Sequence, residues 1–214
     1  MKNLSAQSSP EQATQQKLSE YYKLHSKIYD ISRWFFLFGR SSLMKKLVAN
    51  AITPNVILEV GCGTGKNLKL LSKLYPKSIL MGMDLSTNML SIAQKKLNDE
   101  PGVFLLNQAF DEADFPFKGK VDLIIFSYVL TMNKDYPNIL KEAQKTLSKN
   151  GHIAIVDFND TTLTVFKKWM QYNHVTMNGE LLKTVKANFQ GLNVKVNQGI
   201  FSIWSYFSFI GKYN

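Results

Sequence analysis

Residues 57 to 65 run an apolar strand, Ile57-Leu58-Glu59-Val60, into a loop with glycine at every second position, Gly61-Cys62-Gly63-Thr64-Gly65. A strand that delivers its last residue to the carboxyl edge of a parallel sheet must turn sharply there, and glycine makes such turns without steric cost. The missing Cβ atoms also let a ligand lie against the backbone. The next strand reads Ile79-Leu80-Met81-Gly82-Met83-Asp84. An acid roughly 20 positions past the glycines can accept hydrogen bonds from both hydroxyls of a ribose. Gly65 comes too early for the G-x-G-x-x-G dinucleotide pattern, and no GK[ST] phosphate cradle follows, so a nucleotide-type ligand without pyrophosphate is implied.

The string E-V-G-C-G-T-G, followed by D-L-S at residues 84 to 86, resembles motif I and the acidic strand end of class I S-adenosylmethionine (SAM)-dependent methyltransferases. Two more segments agree in order and spacing. VDLIIFSY (121–128) resembles the fourth strand of that family, whose end faces the cofactor, and LSKNGHIAIVDF (147–158) resembles its helix end, glycine turn and fifth strand. The resemblance implies an α/β, Rossmann-like seven-stranded methyltransferase sheet with helices on both faces and a C-terminal β-hairpin. It implies SAM as cofactor and S-adenosyl-L-homocysteine as product.

Periodicity places strands near 56–60, 79–84, 103–107, 121–128 and 152–158, with helices between them. Lys66 to Tyr75 puts Leu68, Leu71 and Leu74 on one helical face, and Ser86 to Leu97 starts with a cap and buries Met89, Leu90, Ala93 and Leu97. Two late β-like runs, 192–196 and 200–210, are separated by Asn197-Gln198-Gly199 and read as a hairpin closing the sheet. With 214 residues and 45% apolar side chains, one domain accounts for residues 17–214. Residues 1–16, rich in Ser and Gln, read as a flexible tail without the cationic start or apolar stretch of a secretory signal.

By the resemblance, Glu59 reaches the amino-acid end of SAM or orients the loop, Gly61, Gly63 and Gly65 give it room, and Asp84 takes the ribose. Leu85 and Met89 border the adenine. The family often carries an acid after the third strand; here Asn107-Gln108-Ala109 stands there, and Gln108 can accept through its carbonyl oxygen. Ser127 ends the fourth strand beside the methyl group. Cys62, the sole cysteine, reads as a small apolar filler of the loop; with no partner for a disulfide it suits a reducing, cytoplasmic compartment. No metal site is expected.

Charge separates along the chain. Residues 1–55 hold eight Lys or Arg against three acids, 56–158 twelve against eleven, and 159–214 six against two, within an overall +10. The cofactor core is near neutral while the flanks are basic, so the acceptor or its surroundings are expected to be anionic. From Leu18 to Arg40 the chain interleaves Tyr21, Tyr22, Tyr29, Trp34, Phe35, Phe36 and Phe38 with Lys23, Lys27, Arg33 and Arg40. The spacing supports an amphipathic helix ending near Gly39, part of a lid over residues 17–50. Such a face suits peripheral contact with an anionic membrane surface, and it equally suits packing over the cofactor pocket. No apolar run of about 18 residues is present for a membrane span.

YYKLHSKIYDISRWFFLFGR, HVTMNGELL (174–182) and WSYFSFIGK (204–212) resemble bacterial lipid N-methyltransferases of the diacylglyceryl-homoserine and phosphatidylethanolamine type. Methyl transfer to an amine needs alignment and proton removal, for which His25 and His174 are candidate acceptors. Tyr21, Tyr22 and Tyr29 can surround the methylated nitrogen, whose positive charge is drawn to ring faces. A quinone or small-molecule O- or C-methyltransferase would share every cofactor residue, and a SAM-binding sensor would too. Nucleic acid is disfavoured as a partner: SYVLTM occupies the place where an Asn-Pro-Pro-Tyr-type motif would stand.

Overall fold

The computed structural model describes residues 37–110 and 117–213. The unit from Gly39 onward is built on a seven-stranded sheet of order β3-β2-β1-β4-β5-β7-β6. Its strands are β1 (Val56–Val60), β2 (Ile79–Met83), β3 (Val103–Leu106), β4 (Val121–Ser127), β5 (Leu147–Phe158), β6 (Gln190–Gln198) and β7 (Ser205–Lys212). β1 to β5 pair in parallel, and β7 lies antiparallel between β5 and β6. This is the expected α/β, Rossmann-like methyltransferase sheet with its C-terminal hairpin.

The near-continuous apolar runs of β1, β4 and β5 follow from their central position, because a strand covered on both faces has no polar side. Successive side chains alternate between two cores. Leu58, Val60, Ile124, Phe126, Ile153, Ile155, Phe207 and Phe209 join a cluster with helices α4 (Tyr136–Thr146) and α6 (Glu180–Asn188), through Ile139, Leu140, Ala143, Leu181, Leu182 and Val185. The alternate residues Ile57, Leu123, Ile125, Ala154 and Val156 are equally buried on the other face. Buried residues of α1 (Arg40–Ala49), α2 (Lys66–Leu74) and α3 (Thr87–Lys96) cover that side: Leu43, Met44 and Leu47, then Leu68 and Leu71, then Leu90 and Ala93. α5 (Thr164–Tyr172) follows β5.

Most sequence boundaries hold to within a residue or two. Ser86 caps α3, its Oγ accepting from the Met89 N–H at 3.3 Å. Met89 itself is half-buried rather than core. Two expectations are corrected. The run 147–158, expected as a helix end, a glycine turn and the fifth strand, is continuous β5: β4 pairs with Leu147 and then with His152–Val156 across a register shift, and Asn150, in the stretch between, takes a left-handed φ of 68°. The second arm of the hairpin starts at Ser205, not Ile200, because Gly199 N–H donates to Trp204 O at 2.7 Å and closes a connection containing a one-turn helix, Ile200–Ser202.

The amphipathic segment expected over 18–40 lies outside the described residues up to position 36. Gly39, where that helix was expected to stop, has φ 79° and is the N-cap of α1. Among the described residues no helix is long and apolar enough to cross a membrane.

Candidate functional site: a glycine cradle at the carboxyl edge

β1 ends at Val60, and the loop that follows is folded back onto the end of β2. Gly61 N–H and Cys62 N–H both donate to Met83 O, at 2.7 and 3.0 Å. Gly61, Gly63 and Gly65 have φ of 68°, 54° and 69°, a region that side chains other than glycine enter at a cost of about 1 kcal/mol or more. The three glycines are required for different reasons. A Cβ on Gly61 would sit 2.3 Å from Val129 Cγ2, and one on Gly65 would sit 2.7 Å from Leu97 Cδ1. A Cβ on Gly63 would meet nothing within 4 Å, so the loop leaves open space there.

Asp84 fixes that opening. Its Oδ2 accepts from Gly63 N–H at 2.8 Å and its Oδ1 from Ser86 N–H at 2.9 Å, which leaves each carboxylate oxygen with capacity for another donor. Thr64 is held from the far side by Lys96, whose Nζ donates to Thr64 O at 2.7 Å. After β3, Asn107 Nδ2 donates to Asp84 O at 2.9 Å, so Gln108 and Ala109, both half-buried, stand beside the acidic strand end. Leu85 is 72% exposed, an apolar side chain able to cover the face of a planar ring.

Beneath the loop lie buried polar atoms that lack partners among the described residues. Glu59 is fully buried; Oε1 accepts from Asn67 Nδ2 at 2.6 Å, whereas Oε2 has no partner. Burial pushes its carboxyl up to about 8, against the opposing effect of the Asn67 hydrogen bond. Ser127, one residue past the Val60–Phe126 pair, has an unpartnered buried Oγ. Space above Gly63, spare acceptors on Asp84 and orphaned oxygens on Glu59 and Ser127 fit a ligand carrying a ribose and a polar amino-acid tail. Cys62 is buried and its thiol is driven far up by burial, then by Glu59 and Asp84, which suits a filler and not a nucleophile.

Two groups escaped the sequence reading. Asn67 opens α2 and faces Glu59 eight residues earlier; an amide there looks like any polar helix residue. Asp157 is fully buried at the carboxyl end of β5. Its Oδ2 accepts from Leu130 N–H and Thr131 N–H, and its Oδ1 from Thr131 Oγ1 and Phe158 N–H. Burial raises its carboxyl to about 6, with these donors pulling the other way. The clamp shapes the segment after β4, where Tyr128 takes φ 60° and stacks edge-on to Phe158. An acid between the apolar run Ile153-Ala154-Ile155-Val156 and Phe158 was the signal available.

Among the proposed catalytic residues, Tyr21, Tyr22, His25 and Tyr29 lie outside the described residues. His174 is exposed, with φ 61°, just beyond α5. Two residues later Thr176 N–H donates to Thr131 O at 2.8 Å, which brings this segment to the carboxyl edge of β4. A separate polar cleft of about 350 Å³, lined by Asp122, His152 and Lys212 among others, adjoins the opposite, amino-terminal ends of β1 and β4. Among the described residues no cluster of His, Cys, Asp and Glu could hold a metal ion.

A methyltransferase domain model matches residues 37–191. The chain belongs to that family. It is similar to the demethylmenaquinone methyltransferase of Lactococcus lactis, 30% identical over 60% of this chain and 51% of that protein. It is also similar to the malonyl-[acyl-carrier protein] O-methyltransferase of Priestia megaterium, 27% identical over 69% of this chain and 53% of that one. The chain therefore spans about half the length of these relatives. In fold it matches the Burkholderia thailandensis 1,6-didemethyltoxoflavin-N1-methyltransferase, crystallised with S-adenosylhomocysteine. The TM-score is 0.69 at 14% identity, over 99% of this chain and 93% of that one. The N-methyltransferase NodS of Bradyrhizobium japonicum matches with a TM-score of 0.66 at 16% identity, over 81% and 85%. Family and fold agree on a methyltransferase domain built on a Rossmann-like sheet.

Because Glu59 binds its proton up to about pH 8 when folded and only to about 4.5 otherwise, the native state holds the extra proton between these values. Stability of the ligand-free protein is therefore expected to fall between pH 6 and 8, by at most about 1.4 kcal/mol per pH unit from this group. Urea titrations of Glu59→Gln should show that slope removed. Asp157→Asn replaces an acceptor facing N–H groups with a donor, and should cost about 2–3 kcal/mol in the same titrations.

Proposed function

We propose that this domain transfers the methyl group of SAM to the amine of a membrane-lipid headgroup. The cofactor half of the reading rests on the cradle between Gly63 and Asp84, where open space and spare acceptors coincide. Asp84 takes the ribose hydroxyls, Glu59 and the loop receive the amino-acid tail, Leu85, Met89, Gln108 and Ala109 line the base, and Ser127 lies toward the methyl. Bound SAM supplies a methyl on a sulfonium, already activated for displacement. The chain's own task is to hold amine and methyl in line and to exclude water. An ammonium must lose a proton before it can attack; His174 is the acceptor among the described candidates.

The lipid acceptor is supported by the basic flanks on a near-neutral core and by the sequence resemblance. A quinone ring is the second reading, supported by the similarity to the Lactococcus lactis demethylmenaquinone methyltransferase. Incubation with methyl-labelled SAM and either lipid extract or demethylmenaquinone separates them. Label in a lipid amine supports the first; label in the quinone with none in lipid replaces it by the second.

The cofactor site is tested independently of the acceptor. Gly63→Ala places a methyl in the open space and is expected to weaken SAM binding at least tenfold by calorimetry, with about 1 kcal/mol of backbone strain and the fold intact by circular dichroism. Asp84→Ala removes the ribose acceptor and should abolish measurable binding. Normal SAM affinity in both variants would refute the cradle.

A further inference from the structure

α5 presents its apolar residues the wrong way round for an ordinary surface helix. Phe166 and Met170, four residues apart, pack inward; Met170 is 4% exposed and Phe166 stacks on Trp204 at 5.6 Å. Val165, Lys168, Trp169 and Tyr172 follow the i, i+3, i+4, i+7 spacing of an outer face, and Val165, Trp169 and Tyr172 are 83%, 42% and 85% exposed, Trp169 also lying against Phe166 at 5.7 Å. A solvent face this apolar needs a cause.

The connection between β6 and β7 adds to it. Phe201 is 91% exposed, with φ 50° and ψ 24°, a left-handed conformation unusual for a bulky side chain. Ser202 beside it also has positive φ. The chain thus tolerates strain to hold an aromatic ring outward. This connection and α5 form one packed unit: besides the Phe166–Trp204 stack, Thr161 Oγ1 donates to Ile203 O at 2.6 Å and Ser205 N–H donates to Asp160 O at 2.8 Å.

Position and charge select the partner. α5 follows the carboxyl end of β5, and Phe158 pairs with Tyr206 at the start of β7, so the unit sits at the sheet edge that carries the cofactor cradle. In this unit Lys167 pairs with Asp160 at 3.4 Å, Lys168 is exposed, and 199–206 contain no charge, within a flank, 159–214, that holds six Lys against two acids. An anionic lipid surface satisfies both features: the protruding Tyr172 and Phe201 rings and the exposed edge of Trp169 enter the headgroup layer, and Lys168, in a basic flank, meets the phosphates.

We propose that the exposed face of α5 and the Phe201 turn dock the domain on an anionic membrane. This contact is argued from residues 160–206 alone and does not depend on which acceptor is methylated. The test is co-sedimentation of the full chain with phosphatidylcholine vesicles, with and without phosphatidylglycerol. Phe201→Asn is the informative variant, because asparagine accepts left-handed backbone and relieves the strain while deleting the ring. It should melt no lower than wild type and bind phosphatidylglycerol vesicles roughly tenfold more weakly. Lys168→Glu should weaken binding about fivefold or more, and added salt should weaken wild type. Undiminished vesicle binding by both variants would overturn the proposal. So would absence of wild-type binding to either vesicle, or a dimer or a complex with an acidic carrier protein lost on Phe201→Asn.

Discussion

The bond between the Asp84 carboxylate and the Gly63 N–H holds together two things that would otherwise be independent, the turn after β1 and the end of β2. Without it the turn would still be anchored at its start by the donors to Met83 O, but the middle of the loop, where the Cβ-free space lies, would have no fixed distance from the acid. A ribose bound as proposed would be met by both at once. Since β1 and β2 are adjacent and in register from Val56–Ile79 to Val60–Met83, the sheet sets that distance before any ligand arrives. The cradle is therefore a property of the strand pairing.

The same sheet carries two buried carboxyl groups with different tasks. Asp157 accepts from two backbone N–H groups, its neighbour's N–H and a hydroxyl, so it is satisfied and acts by shaping the chain after β4. Glu59 has a single amide partner and one bare oxygen, and burial holds it toward the neutral form. A satisfied acid is a fixed part of the scaffold. An unsatisfied one beside an open cradle is poised to change its charge when a cationic group comes within reach, which is what the amino end of SAM would supply.

How much of this was legible in the sequence varies with the kind of interaction. The glycine loop, Asp84 and the central strands leave marks that few other arrangements produce: left-handed backbone demands glycine, and strands covered on both faces demand unbroken apolar runs. The Ile200 to Ile210 run misled because apolar residues alone do not exclude a turn; the Gly199–Trp204 closure that breaks it depends on a contact between an indole and a glycine that has no periodicity. At 147–158 the start of the strand was not legible, since the left-handed position inside it is Asn150, a residue type that also suits a helix end or a turn. Asn67 and Asp157 were missed because their roles are set by partners in other elements, at sequence separations of 8 and 26 to 27 for the bonds that matter.

That asymmetry also explains why cofactor and acceptor differ in how far they can be read. The proposed SAM cradle is made largely of backbone geometry, and backbone geometry constrains residue type. An acceptor is held by side chains around an opening, where a tyrosine, a histidine or a leucine each satisfy sterics with different chemistry. The charge distribution bridges part of the gap: a near-neutral core between basic flanks is what a domain needs if its cofactor cation is to sit in a site that does not repel it while its surroundings attract an anionic phase. The outward aromatic face of α5 lies in one of those flanks, at the edge where the cradle opens. On a sheet of this topology the carboxyl edge is where both cofactor and acceptor must arrive. An apolar, cationic surface beside it would shorten the path of an acceptor that does not leave its lipid.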